Sequence, residues 1–143
     1  MKNFLLVLLI ILEFSSFGQV AIENFNDCNE KIFFVTVEEK PEFNNEGQDL
    51  YEYLSVKFEE LELLKKCNGK ILIGILIFEN GETCCKSFAN MTNEKINSAE
   101  IKKIIDNMPK WKPAIQRGKA VNFVHHQLFK VSNGTIEQNL HTL

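Results

Sequence analysis

Lys70-Ile71-Leu72-Ile73-Gly74-Ile75-Leu76-Ile77-Phe78-Glu79-Asn80-Gly81-Glu82-Thr83-Cys84-Cys85-Lys86-Ser87-Phe88 decides the fold. Two β-rich arms flank Asn80-Gly81, a pair that accepts the positive φ angles of a tight two-residue turn, so the stretch reads as a β-hairpin. Its first arm is apolar on both faces, which places it centrally in a sheet, covered on both sides, or covered on one side by helices and on the other by a partner. Gly74 in the middle of that arm marks a point of close approach.

Outward from the hairpin the period changes. From Gln48 to Lys66 the apolar residues Leu50, Tyr51, Leu54, Phe58, Leu61 and Leu64 recur at spacings of mostly three and four, an amphipathic helix stopped by Asn68-Gly69. Downstream, Ile101, Ile104, Ile105 and Met108 form a second helical stripe, with Ser98 as its cap, Glu100 complementing its dipole and Pro109 ending it. A strand is expected from Lys31 to Val37 and another from Ala120 to Val131, separated from their neighbours by the Pro- and Gly-containing segments 38–47 and 109–119. The order strand, helix, hairpin, helix, strand predicts an α+β fold, a small antiparallel sheet with two helices on one face. No internal repeat or low-complexity tract interrupts it.

Met1-Lys2-Asn3, the apolar run Phe4 to Leu12, and the small residues of Ser15-Ser16-Phe17-Gly18 form a signal-peptide pattern. A membrane span needs about 20 apolar residues, and Glu13 interrupts the run sooner. The expected organisation is a signal peptide over 1–18, cleaved near Gly18, a polar lead-in over 19–31, and one domain over 32–143, with export to the periplasm or cell envelope. The 143 residues, 45% hydrophobic with twelve Phe, can bury a single core. A net charge of −3 has the wrong sign for nucleic acid.

Four cysteines, Cys28, Cys67, Cys84 and Cys85, would enter an oxidising compartment, where an even count favours disulfides. A bridge between the adjacent Cys84 and Cys85 distorts the peptide, so the pairings that send Cys28 and Cys67 to that pair are easier. Both such pairings remain open, as does the fully reduced form.

Little else suggests chemistry. His125 and His126 are neighbours in a strand and point to opposite faces, so they cannot share an ion, and His141 could join only one of them. The acidic run Glu38, Glu39, Glu42 and Glu46 lacks calcium-loop spacing. No nucleophile elbow, phosphate loop or Cys-x-x-Cys pair occurs. The expectation is no enzyme, no metal, no cofactor and no small-molecule substrate. A rival reading is a thiol-active envelope protein using Cys84 and Cys85, one thiol resolving the other. Met108-Pro109-Lys110-Trp111-Lys112-Pro113 fixes the only Trp between two prolines, either as a rigid corner or as an exposed partner contact.

These last residues carry a resemblance. Val37-Glu38-Glu39-Lys40-Pro41-Glu42-Phe43, the hairpin around Asn80-Gly81, and Met108 to Pro113 followed by Arg117-Gly118-Lys119-Ala120-Val121 resemble the C-terminal domain of TonB as it occurs in the Bacteroidetes, over about residues 32 to 131. The resemblance implies a periplasmic module, linked to transmembrane transport, that engages outer-membrane TonB-dependent receptors or related envelope proteins by strand addition. It assigns the contact to the last strand, and so to Val121, Asn122, Phe123, Val124, His125, His126, Gln127, Leu128 and Phe129, with Trp111 beside them. An exposed strand edge is a physical template for such addition. It also allows a homodimer through the same edge. A full transducer of that kind carries a membrane anchor and a long Pro-rich spacer. Neither is read in this chain, nor is the glycine-rich stretch usual after Pro-Glu-Phe, so binding rather than force transmission is the role implied.

Overall fold

A computed structural model describes residues 20–28 and 32–137; residues 1–19, which contain the expected signal peptide, residues 29–31 and residues 138–143 lie outside the described residues. The fold is α+β. The strands are β1 (Ile22–Asn24), β2 (Gly69–Ile77), β3 (Thr83–Thr92), β4 (Ala114–Gln116), β5 (Lys119–Val121), β6 (Phe123–Ser132) and β7 (Thr135–Glu137), and the helices are α1 (Leu50–Glu60) and α2 (Ser98–Asp106). A five-stranded antiparallel sheet runs β1-β3-β2-β6-β7, and β4 pairs with β5 in a separate ribbon.

The central place of β2 follows from its composition. Ile71, Ile73, Ile75 and Ile77 point to the helix face and are fully buried with Leu54 and Phe58 of α1 and Ile101 and Ile105 of α2. On the other face Leu76 joins Val124, Cys28 and Phe33 in a smaller cluster. Strand residues alternate faces, so this continuous apolar run is buried twice over. Gly74 sits at the bulge where pairing with β3 shifts register, and an added Cβ there would overlap the Ser87 hydroxyl.

Several expected boundaries are corrected. Residues 32–37 do not form a strand; Phe34 alone makes a parallel bridge to Phe123, while Phe33 turns onto the second face to cover Leu76 and Val124. Burying the ring across the sheet satisfies the same apolar run without a full hydrogen-bonded ladder. The lead-in instead supplies β1, paired to Ser87–Ala89. Helix α1 starts on a capping box between Asp49 and Glu52 but stops at Glu60, with turns continuing to Lys66 through positive φ at Glu62 and Lys66. Asn97, not Ser98, caps α2.

The hairpin turn is also wider than expected. Ile77 and Thr83 are the last pair, Phe78 N–H donates to Glu82 O, and only Gly81 has positive φ. Asn80 caps the turn through its side chain, accepting from Glu82 N–H at 2.9 Å. The expected last strand splits into β5 and β6, and two further hairpins appear at Arg117-Gly118 and Asn133-Gly134, where both residues of each pair have positive φ.

Candidate functional site

The candidate site is the outer edge of β6. On one side β6 pairs with β2 along its whole length, from Phe123 with Ile77 to Val131 with Gly69. On the other side cover is partial. At the start, Phe34 N–H donates to Asn122 O at 2.8 Å and Val124 N–H donates to Phe34 O at 3.0 Å. At the end, β7 pairs only with Lys130, Val131 and Ser132.

Val124, Lys130 and Ser132 fix which backbone groups face outward, because antiparallel hydrogen bonding alternates residue by residue. By that alternation His126 and Leu128 turn their N–H and C=O away from β2. Among the described residues neither N–H meets a backbone acceptor, and the Leu128 carbonyl receives only the neighbouring Gln127 side-chain amide at 3.2 Å. The result is an open slot from His125 to Phe129, five residues or about 17 Å of strand, closed at both ends by this chain's own backbone.

The expected contact residues divide sharply across it. Phe123, Val124 and Phe129 are buried and contribute backbone, not side chains. Val121 lies in β5, paired with Ala114. Asn122 is a tie: its side-chain oxygen accepts from Glu79 N–H at 2.9 Å and its amide donates to Ile32 O at 3.3 Å. His125, His126, Gln127 and Leu128 are partly exposed and line the slot. His125 and Gln127 share the helix face and are hydrogen-bonded at 3.2 Å, while His126 and Leu128 lie on the other face, opposite Gly74 and Leu72.

Trp111 is corrected from an exposed contact to a buried wall. It is 5% exposed, stacked at a tilt between Phe43 (5.3 Å) and His125 (5.6 Å). The Trp111 backbone N–H donates to Gly81 O at 2.9 Å, and Gly81 leaves no room for a side chain because a Cβ would overlap the Trp111 carbonyl. Glu42 and Lys112 exchange backbone hydrogen bonds at 3.0 and 2.9 Å, and Glu39 and Ile115 do so nearby. The two prolines therefore hold the ring inward as a rigid corner, and segments 38–43 and 111–116, far apart in sequence, lie side by side behind the slot. Burial holds the His125 imidazole below its ordinary pKa, with the positive charges of His126 and Lys40 adding to this and the Gln127 hydrogen bond opposing it.

The cysteines form one bridge. Cys28 pairs with Cys84, their Cα atoms 5.9 Å apart, fixing the segment after β1 to the start of β3. Neither expected pairing of Cys67 holds: Cys67 and Cys85 are free and buried. Cys84 and Cys85 point to opposite faces, Cys84 beside Leu76 and Cys85 beneath the helices. Burial, reinforced by the Asp106 carboxylate, pushes the Cys85 thiol up to about 12, so at neutral pH it holds almost no thiolate for exchange with the bridge. Asp27, Cys28 and Cys84 are close enough to hold an ion in principle. The two sulfurs are bonded to each other, however, and Asp27 is engaged by Lys102 at 2.9 Å. Lys102 also bonds Asp106 and lies 5.5 Å over the Phe25 ring, so it clamps the N-terminal segment onto α2.

No helix among the described residues is long and apolar enough to cross a membrane, and the disulfide is compatible with an oxidising location. Comparison with protein-family models, curated proteins and solved structures finds no match for this chain.

Proposed function

We propose that this chain is an exported, non-enzymatic protein-binding module of the TonB C-terminal type, which takes an extended segment of an outer-membrane receptor or related envelope protein as an added strand on β6. The observation that carries the reading is the slot between the Phe34 bridge and β7, where His126 and Leu128 present outward-facing backbone groups. Main-chain bonds in such a slot supply affinity, and the alternating side chains supply selectivity. His125 and Gln127 would meet one face of the incoming strand and His126 and Leu128 the other, favouring a segment of about five residues. Trp111, packed between Phe43 and His125, holds the His125 ring in place before a strand arrives, which lowers the ordering cost of binding.

The thiol-exchange reading is less well supported, because Cys84 is already bridged to Cys28 and Cys85 faces the opposite side with a poorly ionised thiol. A dimer through the same edge uses the same backbone groups and is separated by experiment.

The test is titration of the labelled mature protein with peptides from outer-membrane receptor plugs, followed by backbone amide shifts. Shifts concentrated at His125–Phe129, unchanged across protein dilution, support receptor-strand capture. Shifts centred on β1, or none with any peptide, would overturn it, and dilution-dependent shifts without peptide would indicate the dimer instead.

A further inference from the structure

Three Asn-Gly pairs occur in the chain, Asn68-Gly69, Asn80-Gly81 and Asn133-Gly134. Such a pair can rearrange without an enzyme, because glycine has no Cβ to keep its backbone nitrogen from the preceding Asn side chain. The fold treats the three differently. At Asn80 the side-chain oxygen accepts from Glu82 N–H at 2.9 Å and Gly81 N–H donates to Phe78 O at 2.8 Å, in a hairpin whose last pair, Ile77 and Thr83, is buried. At Asn68 the side-chain oxygen accepts from Asn133 N–H at 2.9 Å and the side-chain amide donates to Lys66 O at 3.4 Å, while Gly69 is paired on both sides, with Thr92 and Val131. The Asn133 side chain is exposed and makes no hydrogen bond among the described residues.

We propose that Asn133 is the site of a spontaneous modification, deamidation through a succinimide with Gly134, and that its isoaspartyl product releases β7 from the β6 edge. The Gly134 nitrogen attacks Asn133 Cγ and gives up its proton, the Cγ–Nδ2 bond breaks, and the amide leaves with that proton as ammonia. Water then opens the ring at either carbonyl, giving aspartate or isoaspartate. Attack requires Gly134 N–H to leave Cys67 O, which it meets at 2.9 Å, and Asn133 to leave its positive φ of 49°. Opening of the β6–β7 hairpin does both. It breaks the pairs of a three-residue edge strand and moves a single buried β7 side chain, Ile136, whereas freeing Gly81 or Gly69 disturbs β2 at the centre of the sheet.

The isoaspartyl product carries the main chain through the former side chain and so lengthens the turn between Ser132 and Thr135 by a methylene. A two-residue turn with both φ values positive cannot take up that atom and keep its register. The turn is also docked, through Asn133 N–H on Asn68 and Gly134 N–H on Cys67, and a Cβ on Gly134 would already lie 3.0 Å from Leu64 O. Once β7 lets go of Lys130 and Ser132, the open edge of β6 runs from His125 to Ser132. The modification itself does not depend on the strand-capture reading.

Incubation of the mature protein in mildly alkaline buffer, followed by proteolytic mapping with isoaspartate detection, tests this. In denaturant the three pairs, being chemically alike, should react at similar rates. In the native protein Asn133 should react at least about fivefold faster than Asn80 or Asn68, the factor for one net side-chain hydrogen bond. Asn68→Ala, which removes the acceptor of Asn133 N–H, should speed it about fivefold further. The isoaspartyl form should lose amide-exchange protection at Lys130 and Ser132, the residues that β7 covers. Reaction first at Asn80 or Asn68, equal ratios in native and denatured protein, an Asn133 that stays intact, or an isoaspartyl form that keeps both amides protected would overturn the proposal. None of these results bears on peptide capture by unmodified β6, so the two readings fail separately.

Discussion

Removing the Cys28–Cys84 bridge should destabilise the fold by about 4 kcal/mol. The bridge closes a loop with a sequence separation of 56. For a loop of that size the lost chain entropy of the denatured state is worth about 4 kcal/mol at room temperature, a large share of the roughly 5–15 kcal/mol that holds a domain together. The native state should keep its shape without the bridge. β1 still pairs with Ser87–Ala89, Phe25 N–H still donates to Lys86 O, and Lys102 still holds Asp27. The assay is urea unfolding of the wild type, oxidised and reduced, and of Cys28→Ala/Cys84→Ala. At a slope of about 1–3 kcal/mol per molar, the midpoint should fall by roughly 1.3–4 M on reduction, with a steeper slope because the unbridged denatured chain exposes more surface. The double variant should match the reduced wild type and ignore reductant. Alkylation of the unfolded, unreduced protein should label Cys67 and Cys85 alone. A change below about 1 kcal/mol, far short of the loop-closure value, would refute the reasoning, as would labelling of Cys28 or Cys84.

Trp111→Ala should cost about 3–5 kcal/mol, since it empties the wall between Phe43 and His125, whereas Trp111→Phe should cost clearly less; thermal unfolding distinguishes them. Gly74→Ala should lose about 1–3 kcal/mol by overlap with Ser87, and Ser87→Ala in the same chain should recover most of the loss, which denaturant midpoints would reveal. His125 is held below its ordinary pKa, so the unfolded chain binds its proton first as pH falls. Its effect on stability is therefore absent above about 6.5 and grows as pH drops from there toward the lower folded value. His125→Phe should flatten that part of the stability-versus-pH curve.

The sheet's centre was legible because Ile71 to Ile77 can be satisfied only by cover on both faces, and both helices were legible from three-and-four spacing. The first strand was misread because Phe33, Phe34 and Val35 have strand propensity wherever they sit. Whether they pair or lie across the sheet depends on the edge available, and here only Phe34 reaches one. The hairpins at Arg117-Gly118 and Asn133-Gly134 had a readable signal, paired residues tolerant of positive φ. The short arms around them carry little apolar alternation, which hides them along the chain. The resemblance points to the last strand as the contact, but which of its side chains are accessible cannot be read along the chain. Phe123, Val124 and Phe129 look available in a list and are buried in the fold.

The sequence by itself determined the α+β class, the central place of β2 and the fixed backbone around Trp111 between its two prolines. All of these follow from local period, proline geometry and strand alternation. Only the tertiary structure decided that Trp111 turns inward, that Cys28 chooses Cys84 and leaves Cys67 alone, and that among the described residues the outer edge of β6 is unpaired just from His125 to Phe129. Those outcomes depend on which distant segments arrive at the same place, Phe43 on Trp111, the residues after β1 on β3, and Phe34 and β7 on either end of one strand. Nothing in the spacing along the chain encodes such meetings, because each is set by competition among all segments for the same limited buried surface and the same backbone hydrogen bonds.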